Sequence, residues 1–323
     1  MILEYILVVT FAIILDLLIG DPKNKFHPTS WTGILIAKLV PIIKSKSVYI
    51  EKLGGIILVV SITSLIMIIL FILNLGINII PTEVVVSILT IFVGSILLKT
   101  TIAIHGMEKH TIAIISSIEN NDLQTARTNL AMIVKRNTTN LDKNHILSGT
   151  LESISENIVD GITGPLFYFS LFGLPGAFLH RTINTFDSMI GYKTSIFRNI
   201  GWFGANCDNV LNYLPARITS FIMILGAMCL GQDWKQSYHI MKRDAKNTES
   251  PNAGYPMAVL AGALGTRFEK IDHYTIGDGN QELSKSHLFS AITLMKITSI
   301  LFCVLFTIPM MIVLSYFGWW IYA

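Results

Sequence analysis

Glu152, Glu156 and Asp160 stand four residues apart in a chain otherwise poor in charge. On a helix this spacing puts three carboxylates on one face. Like charges so placed repel, so the stripe is either solvated or offset by something positive. A solvated surface stripe is the plain reading. Divalent-cation coordination is the sharper one, because Mg²⁺ takes one or two carboxylates together with phosphate oxygens. Asn157 lies in the same run, and the Gly161–Pro165 break just afterwards does not suit a simple solvent-facing helix.

A denser polar stretch occupies 181–217, with Arg181, Asn184, Asp187, Lys193, Arg198, Asp208, Asn212 and Arg217. Arginine forks recognise phosphate or carboxylate bidentately. Aspartates supply metal ligands, and asparagines both donate and accept. Trp202 reads as a packing or interface residue, with a stacking platform as the alternative. Asp21 sits in a Gly20-Asp21-Pro22 turn signal after a helix, followed by His27-Pro28. Asn252 belongs to Ser250-Pro-Asn-Ala-Gly-Tyr-Pro256, which leads into a small-residue helix at 257–264, a place where backbone N–H groups can hold an anion. No phosphate-binding Gly-x-x-x-x-Gly-Lys motif, dinucleotide fingerprint or His-Glu-x-x-His occurs. His105 and His110 are five apart, the wrong spacing for a shared helical metal site.

The elements that carry these clusters are membrane helices. Of 323 residues, 52% are hydrophobic and only 14% charged, against about 25% charged in soluble domains. That excludes disorder and an ordinary cytosolic enzyme, and a net charge of +3 is no nucleic-acid footprint. Cys207, Cys229 and Cys303 lie too far apart for a metal pair and read as reduced, inert thiols. The runs 2–19, 54–75, 84–104 and 288–318 are each long and apolar enough to cross a hydrocarbon core of about 30 Å. They predict an all-α, polytopic membrane protein forming one membrane-embedded domain. Trp319, Trp320 and Tyr322 suit an interfacial anchor after the last span. The first run lacks a basic n-region and a small-residue cleavage site, so it is expected to stay as a span.

Residues 21–53 hold six lysines, 76–83 hold no Lys or Arg, and 105–287 hold most of the remaining basic residues. The positive-inside bias places 21–53 and 105–287 in the cytoplasm. Helices are expected at 122–136 and 143–160. The shorter apolar stretches 162–180 and 218–231 fit re-entrant, interfacial or buried helices better than spans.

At these clusters the chain resembles the CobD/CbiB family of cobalamin biosynthesis, the membrane-associated adenosylcobinamide-phosphate synthases. The likeness rests on Asp16-Leu-Leu-Ile-Gly-Asp-Pro22, Glu152-Ser-Ile-Ser-Glu-Asn-Ile-Val-Asp-Gly161, Asn184-Thr-Phe-Asp-Ser-Met-Ile-Gly-Tyr-Lys193, Asp208-Asn-Val-Leu-Asn-Tyr-Leu-Pro-Ala-Arg217 and the Ser250–Pro256 loop. Val134–Thr138, Asn206-Cys207 and Asn209 depart from the pattern.

The resemblance implies a carbon–nitrogen ligase. A propionate carboxylate of adenosylcobyric acid would be joined to aminopropanol or its O-phosphate. ATP would convert the carboxylate to an acyl phosphate that the amine can attack. ATP and Mg²⁺ are the implied cofactors and the corrinoid is substrate. Membrane lipid and other late cobamide-assembly enzymes are the implied partners, with no nucleic acid. On this view Glu156, Asp160, Asp187, Asp208 and Arg217 are catalytic, and the four carboxylates hold the metal. Asp21, Asn157, Arg181, Asn184, Lys193, Arg198, Trp202, Asn212 and Asn252 bind substrate or phosphate. The active region faces the cytoplasm.

Two other classes compete. A transporter predicts polar residues on broken spans near mid-membrane and an internal repeat. No repeat is seen, and the polar clusters fall mostly in the basic, cytoplasmic region, with Asp16, an ionisable residue near a span end, as the exception. A non-catalytic scaffold for corrinoid assembly would not require clustered carboxylates and arginine forks.

Overall fold

Backbone groups placed in lipid must be bonded within their own segment, and the uncharged runs fold accordingly as helices. The computed structural model describes residues 2–20, 22, 25, 27–279 and 282–319. In chain order these form α1 (Ile2–Ile19), α2 (Pro28–Ile43), α3 (Val48–Asn78), α4 (Glu83–Lys99), α5 (Ile104–Glu119), α6 (Leu123–Ala131) and α7 (Lys143–Ile158). There follow α8 (Gly164–Ile190), α9 (Trp202–Leu211), α10 (Tyr213–Cys229), α11 (Trp234–Asp244), α12 (Gly254–Leu264), β1 (Phe268–Lys270), β2 (Tyr274–Ile276), α13 (Lys285–Phe302) and α14 (Ile308–Tyr316). Single π-helical turns occupy Val159–Thr163 and Cys303–Thr307.

Among the described residues, five helical runs are long and apolar enough to cross a membrane: Ile2–Ile19, Val48–Asn78, Glu83–Glu119, Lys143–Ile190 and Lys285–Tyr316. Four coincide with the predicted spans. The fifth, Lys143–Ile190, takes in the stretch 162–180. The interruption that its Gly and Pro residues suggest is present: Gly173 is non-helical, with a φ of 62° and a ψ of −150° that suit only glycine, and two helical stretches meet there at a kink. Two-thirds of the most apolar window of this run is buried inside the protein, so it carries polar residues that a lipid-facing span would not. The predicted helix 122–136 ends earlier, at Ala131, and the stretch 218–231 falls mostly in α10, which ends at Cys229.

The chain divides into two units. One comprises Met1–Ala103, Gly164–Leu211 and Cys303–Ala323; the other comprises Ile104–Thr163 and Asn212–Phe302. In the first, α1 packs along α4, and this contact buries Asp16 with the Lys99 ammonium 3.8 Å from its carboxylate. A charge in such a place is tolerated only with a partner. Ile36, Leu58, Ile62, Phe186 and Ile200 form the core between α2, α3 and α8. Trp319 donates its indole N–H to the Leu171 carbonyl at 2.7 Å; Trp320 and Tyr322 lie outside the described residues.

In the second unit, α12 is a stretch of small and apolar residues packed closely against α11. The antiparallel β1–β2 hairpin, which no sequence signal predicted, follows. Asp244 fastens these pieces together. Arg243 donates twice to its carboxylate, at 2.6 and 2.7 Å, and the Gly277 N–H donates at 2.9 Å. The Arg243 hydrogen bonds hold the Asp244 carboxyl below its usual range against the opposing effect of burial. Its contribution is therefore present in full above about pH 4, the ordinary Asp range, and fades as pH falls toward the lowered folded value. Asp244→Asn should lower stability at neutral pH by about 1–3 kcal/mol, and thermal melting of the two proteins should converge as the buffer is acidified below pH 4. Equal melting at pH 7 would show the pair to be idle.

Candidate functional site

Asp142 opens α7 by accepting the His145 N–H at 2.9 Å, an N-cap that sets the register of everything after it. Nearly three turns on, Glu152 is 3% exposed. It is not part of a solvated stripe. Arg136 reaches its Oε2 at 2.7 Å, the Tyr274 hydroxyl donates to the same oxygen at 2.7 Å, and the Ser148 hydroxyl donates to Oε1 at 2.9 Å. Burial first, then Glu152 and Glu156, push the Tyr274 hydroxyl well above its usual range, so it stays a donor. Arg136 and Tyr274 are partners of Glu152 that sequence reasoning missed. Arg136 stands in the Val134–Thr138 segment that departs from the family pattern, whereas nothing local marks Tyr274.

Glu156 is half-buried one turn further on, where Glu152, Lys135, Arg136 and Lys270 are the charges that act on it. Asn157 bonds back to the Ser153 carbonyl at 2.9 Å and serves its own helix. Asp160 falls in the π turn, a local irregularity often found at functional positions. Its Oδ1 accepts the side-chain N–H of Asn212 at 3.0 Å. Asn212 is the residue before α10, where asparagine ordinarily caps with its own side chain. Here no side-chain cap bond is made, and the amide is spent on Asp160 instead.

One turn into α10, Arg217 is bracketed by two aromatic rings. Its guanidinium carbon lies 3.5 Å from the Tyr213 ring centroid and 4.4 Å from that of Tyr255. One terminal nitrogen, Nη1, donates to the Tyr213 carbonyl at 2.6 Å and to the Asn252 side-chain oxygen at 3.2 Å. This fixes the plane of the fork. Asp160, Asn212, Arg217 and Asn252 are thus joined around the first turn of α10, whose dipole adds positive potential.

The remaining predicted residues lie in the other unit. There Arg181 meets Asn184 at 3.5 Å, and Asn184 donates to the buried Asp208 at 3.3 Å. Asp187 closes α8, its carbonyl accepting the Gly191 N–H at 2.9 Å. Lys193 and Arg198 are exposed on the segment 191–201. Trp202 is half exposed beneath the Lys52 ammonium, 5.2 Å from the ring centroid. Asp21 lies outside the described residues.

Among the described residues, no three His, Cys, Asp or Glu side chains converge into a preformed cation cage. Carboxylate oxygens are nevertheless the donors that Mg²⁺ takes, one or two at a time, when phosphates supply the rest. Asp160, on its irregular turn, is a donor of the kind such a partial set takes.

The chain matches the family model described as CobD/Cbib protein over residues 9–307. It is 39% identical over 295 residues to the probable cobalamin biosynthesis protein CobD of Methanothermobacter thermautotrophicus, covering 91% of this chain and 94% of that relative. The like-named protein of Methanocaldococcus jannaschii is 37% identical, with 98% of each chain covered. The cobalamin biosynthesis protein CobD of Dehalococcoides mccartyi is 34% identical over 85% of this chain and 88% of that relative. No solved structure matches.

Proposed function

The chain belongs to the CobD/CbiB family and to cobalamin biosynthesis, and from that premise we propose that it is the ligase joining adenosylcobyric acid to aminopropanol or aminopropanol O-phosphate. The reaction consumes ATP and yields the amide, ADP and phosphate. ATP supplies the leaving group that makes the corrinoid carboxylate an electrophile, and Mg²⁺ offsets the charge on its phosphates. The carrying observation is the first turn of α10, where a positioned carboxylate, Asp160, and a positioned guanidinium, Arg217, are tied to adjacent residues, Asn212 and Tyr213. A fork whose plane is already fixed stabilises charge moving onto phosphate oxygens without having to reorganise.

In this reading Asp160, with Glu156 nearby on the same helical run, would hold Mg²⁺ together with phosphate oxygens. Asp187 and Asp208, which belong to the other unit, are candidate metal ligands in their own right. Arg217 carries transferred charge, and Asn252 keeps Arg217 in place. Arg181, Asn184, Lys193, Arg198 and Trp202 form the second substrate-binding group, and Asp21 is kept with them. The lysine-rich segments, and with them the reaction, face the cytoplasm.

Two preparations test this. Purified protein in nanodiscs should convert adenosylcobyric acid, aminopropanol or its O-phosphate, and ATP into the corresponding amide with one ADP per product. Inside-out membrane vesicles should do so with externally added substrates, and sealed right-side-out vesicles should not. Binding of corrinoid without product formation would favour the scaffold instead.

A further inference from the structure

The N-terminal end of α3 carries a buried acid that the reaction does not use. Glu51 is 4% exposed. Its Oε1 receives the Lys44 ammonium at 2.6 Å and its Oε2 receives the Asn199 side-chain N–H at 2.9 Å. Lys44 donates in turn to the Ile196 carbonyl. Asn199 and Ile196 belong to the segment 191–201, which has turns but neither a helix nor a strand of its own. One turn along α3, a Cβ at Gly55 would overlap the Ile200 carbonyl, so helix and segment meet backbone to backbone. A segment with no regular ladder has two charge-assisted ties and one close packing contact, all directed at one corner of the fold.

We infer that Glu51 is a positioning residue: through Lys44 and Asn199 it holds segment 191–201, and with it the exposed cations Lys193 and Arg198, in one arrangement for an anionic substrate group. The inference rests on the ligase reading for what those cations do, but not for the tie itself. Charge-assisted bonds to a buried carboxylate are the strong kind, and removing one end leaves the other partner buried or loose. Glutamate in the first turn of a helix can also serve the helix dipole alone, a role with different consequences.

Lys193 and Arg198 are themselves trypsin sites, which gives a readout independent of catalysis. Tryptic cleavage of the nanodisc protein after these two residues should be at least about tenfold faster in Glu51→Ala and in Asn199→Ala than in the parent, because local opening sets the rate. Glu51→Gln keeps an acceptor for Asn199 and should fall between. KM for ATP or for adenosylcobyric acid should rise about tenfold in the two alanine variants while kcat changes less, with the melting temperature within a few degrees of the parent. Unchanged cleavage overturns the tie, including when melting falls, since a helix-start role predicts that result. Faster cleavage with unchanged KM for both substrates overturns the positioning role. Failure of the parent itself to form amide removes the ligase reading, and the cleavage arm still decides whether Glu51 holds the segment.

Discussion

Asp160→Asn is expected to lose at least about a hundredfold in kcat while inserting and folding normally. The side-chain carbonyl of an asparagine at this position can still accept the Asn212 N–H that Asp160 accepts now at 3.0 Å, so the link between the π turn and α10 survives. What disappears is the negative charge. If that charge helps to hold Mg²⁺ against the phosphates, several kcal/mol of charge stabilisation go with it, and each 1.4 kcal/mol is tenfold in rate. The Mg²⁺ concentration giving half-maximal rate should rise as well. Measuring rate against Mg²⁺ in nanodiscs separates this from a folding defect. A variant with parental kcat and parental Mg²⁺ dependence would remove Asp160 from the site.

The spans were legible because an uncharged run such as 54–75 has few alternatives to a helix. Lys143–Ile190 was harder. Its Gly-Pro stretch does interrupt the helix, at the non-helical Gly173, and burial within the protein lets the run carry Glu152, Asn184 and other polar groups. The carboxylate stripe was visible from its spacing, but its meaning was not. Glu152 is satisfied by Arg136, sixteen residues earlier in the chain, and by Tyr274, far later on a hairpin of three-residue strands too short to register as a pattern. Asn212 shows the same gap: its type and place predict a helix cap, and only the fold reveals that its amide is taken by Asp160. Spacing identifies residues that share a face; it does not identify the long-range partners that decide whether a charge is structural or poised.

Arg217→Lys is expected to lower kcat roughly ten- to a hundredfold. Losing one charged hydrogen bond costs about 1.5–3 kcal/mol, which converts to that range. The charge itself is kept, so a loss reports the geometry of the fork. The structure sharpens the comparison. A planar guanidinium fits between the Tyr213 and Tyr255 rings at 3.5 and 4.4 Å and still donates to Tyr213 and Asn252. A lysine ammonium would keep part of the cation–π attraction but has neither the plane nor the second edge to offer a phosphate. The competing role is an anchor at the lipid headgroups at the start of an apolar helix, for which lysine is an adequate substitute. Fixed transition-state contacts predict that kcat falls along with kcat/KM; an anchor predicts that both stay near the parent. Tyr255→Phe keeps the ring and should be nearly silent, whereas Tyr255→Ala removes one wall and should move in the direction of Arg217→Lys. Parental kcat and KM in Arg217→Lys, with a silent Tyr255→Ala, would assign the bracketed arginine to the membrane surface.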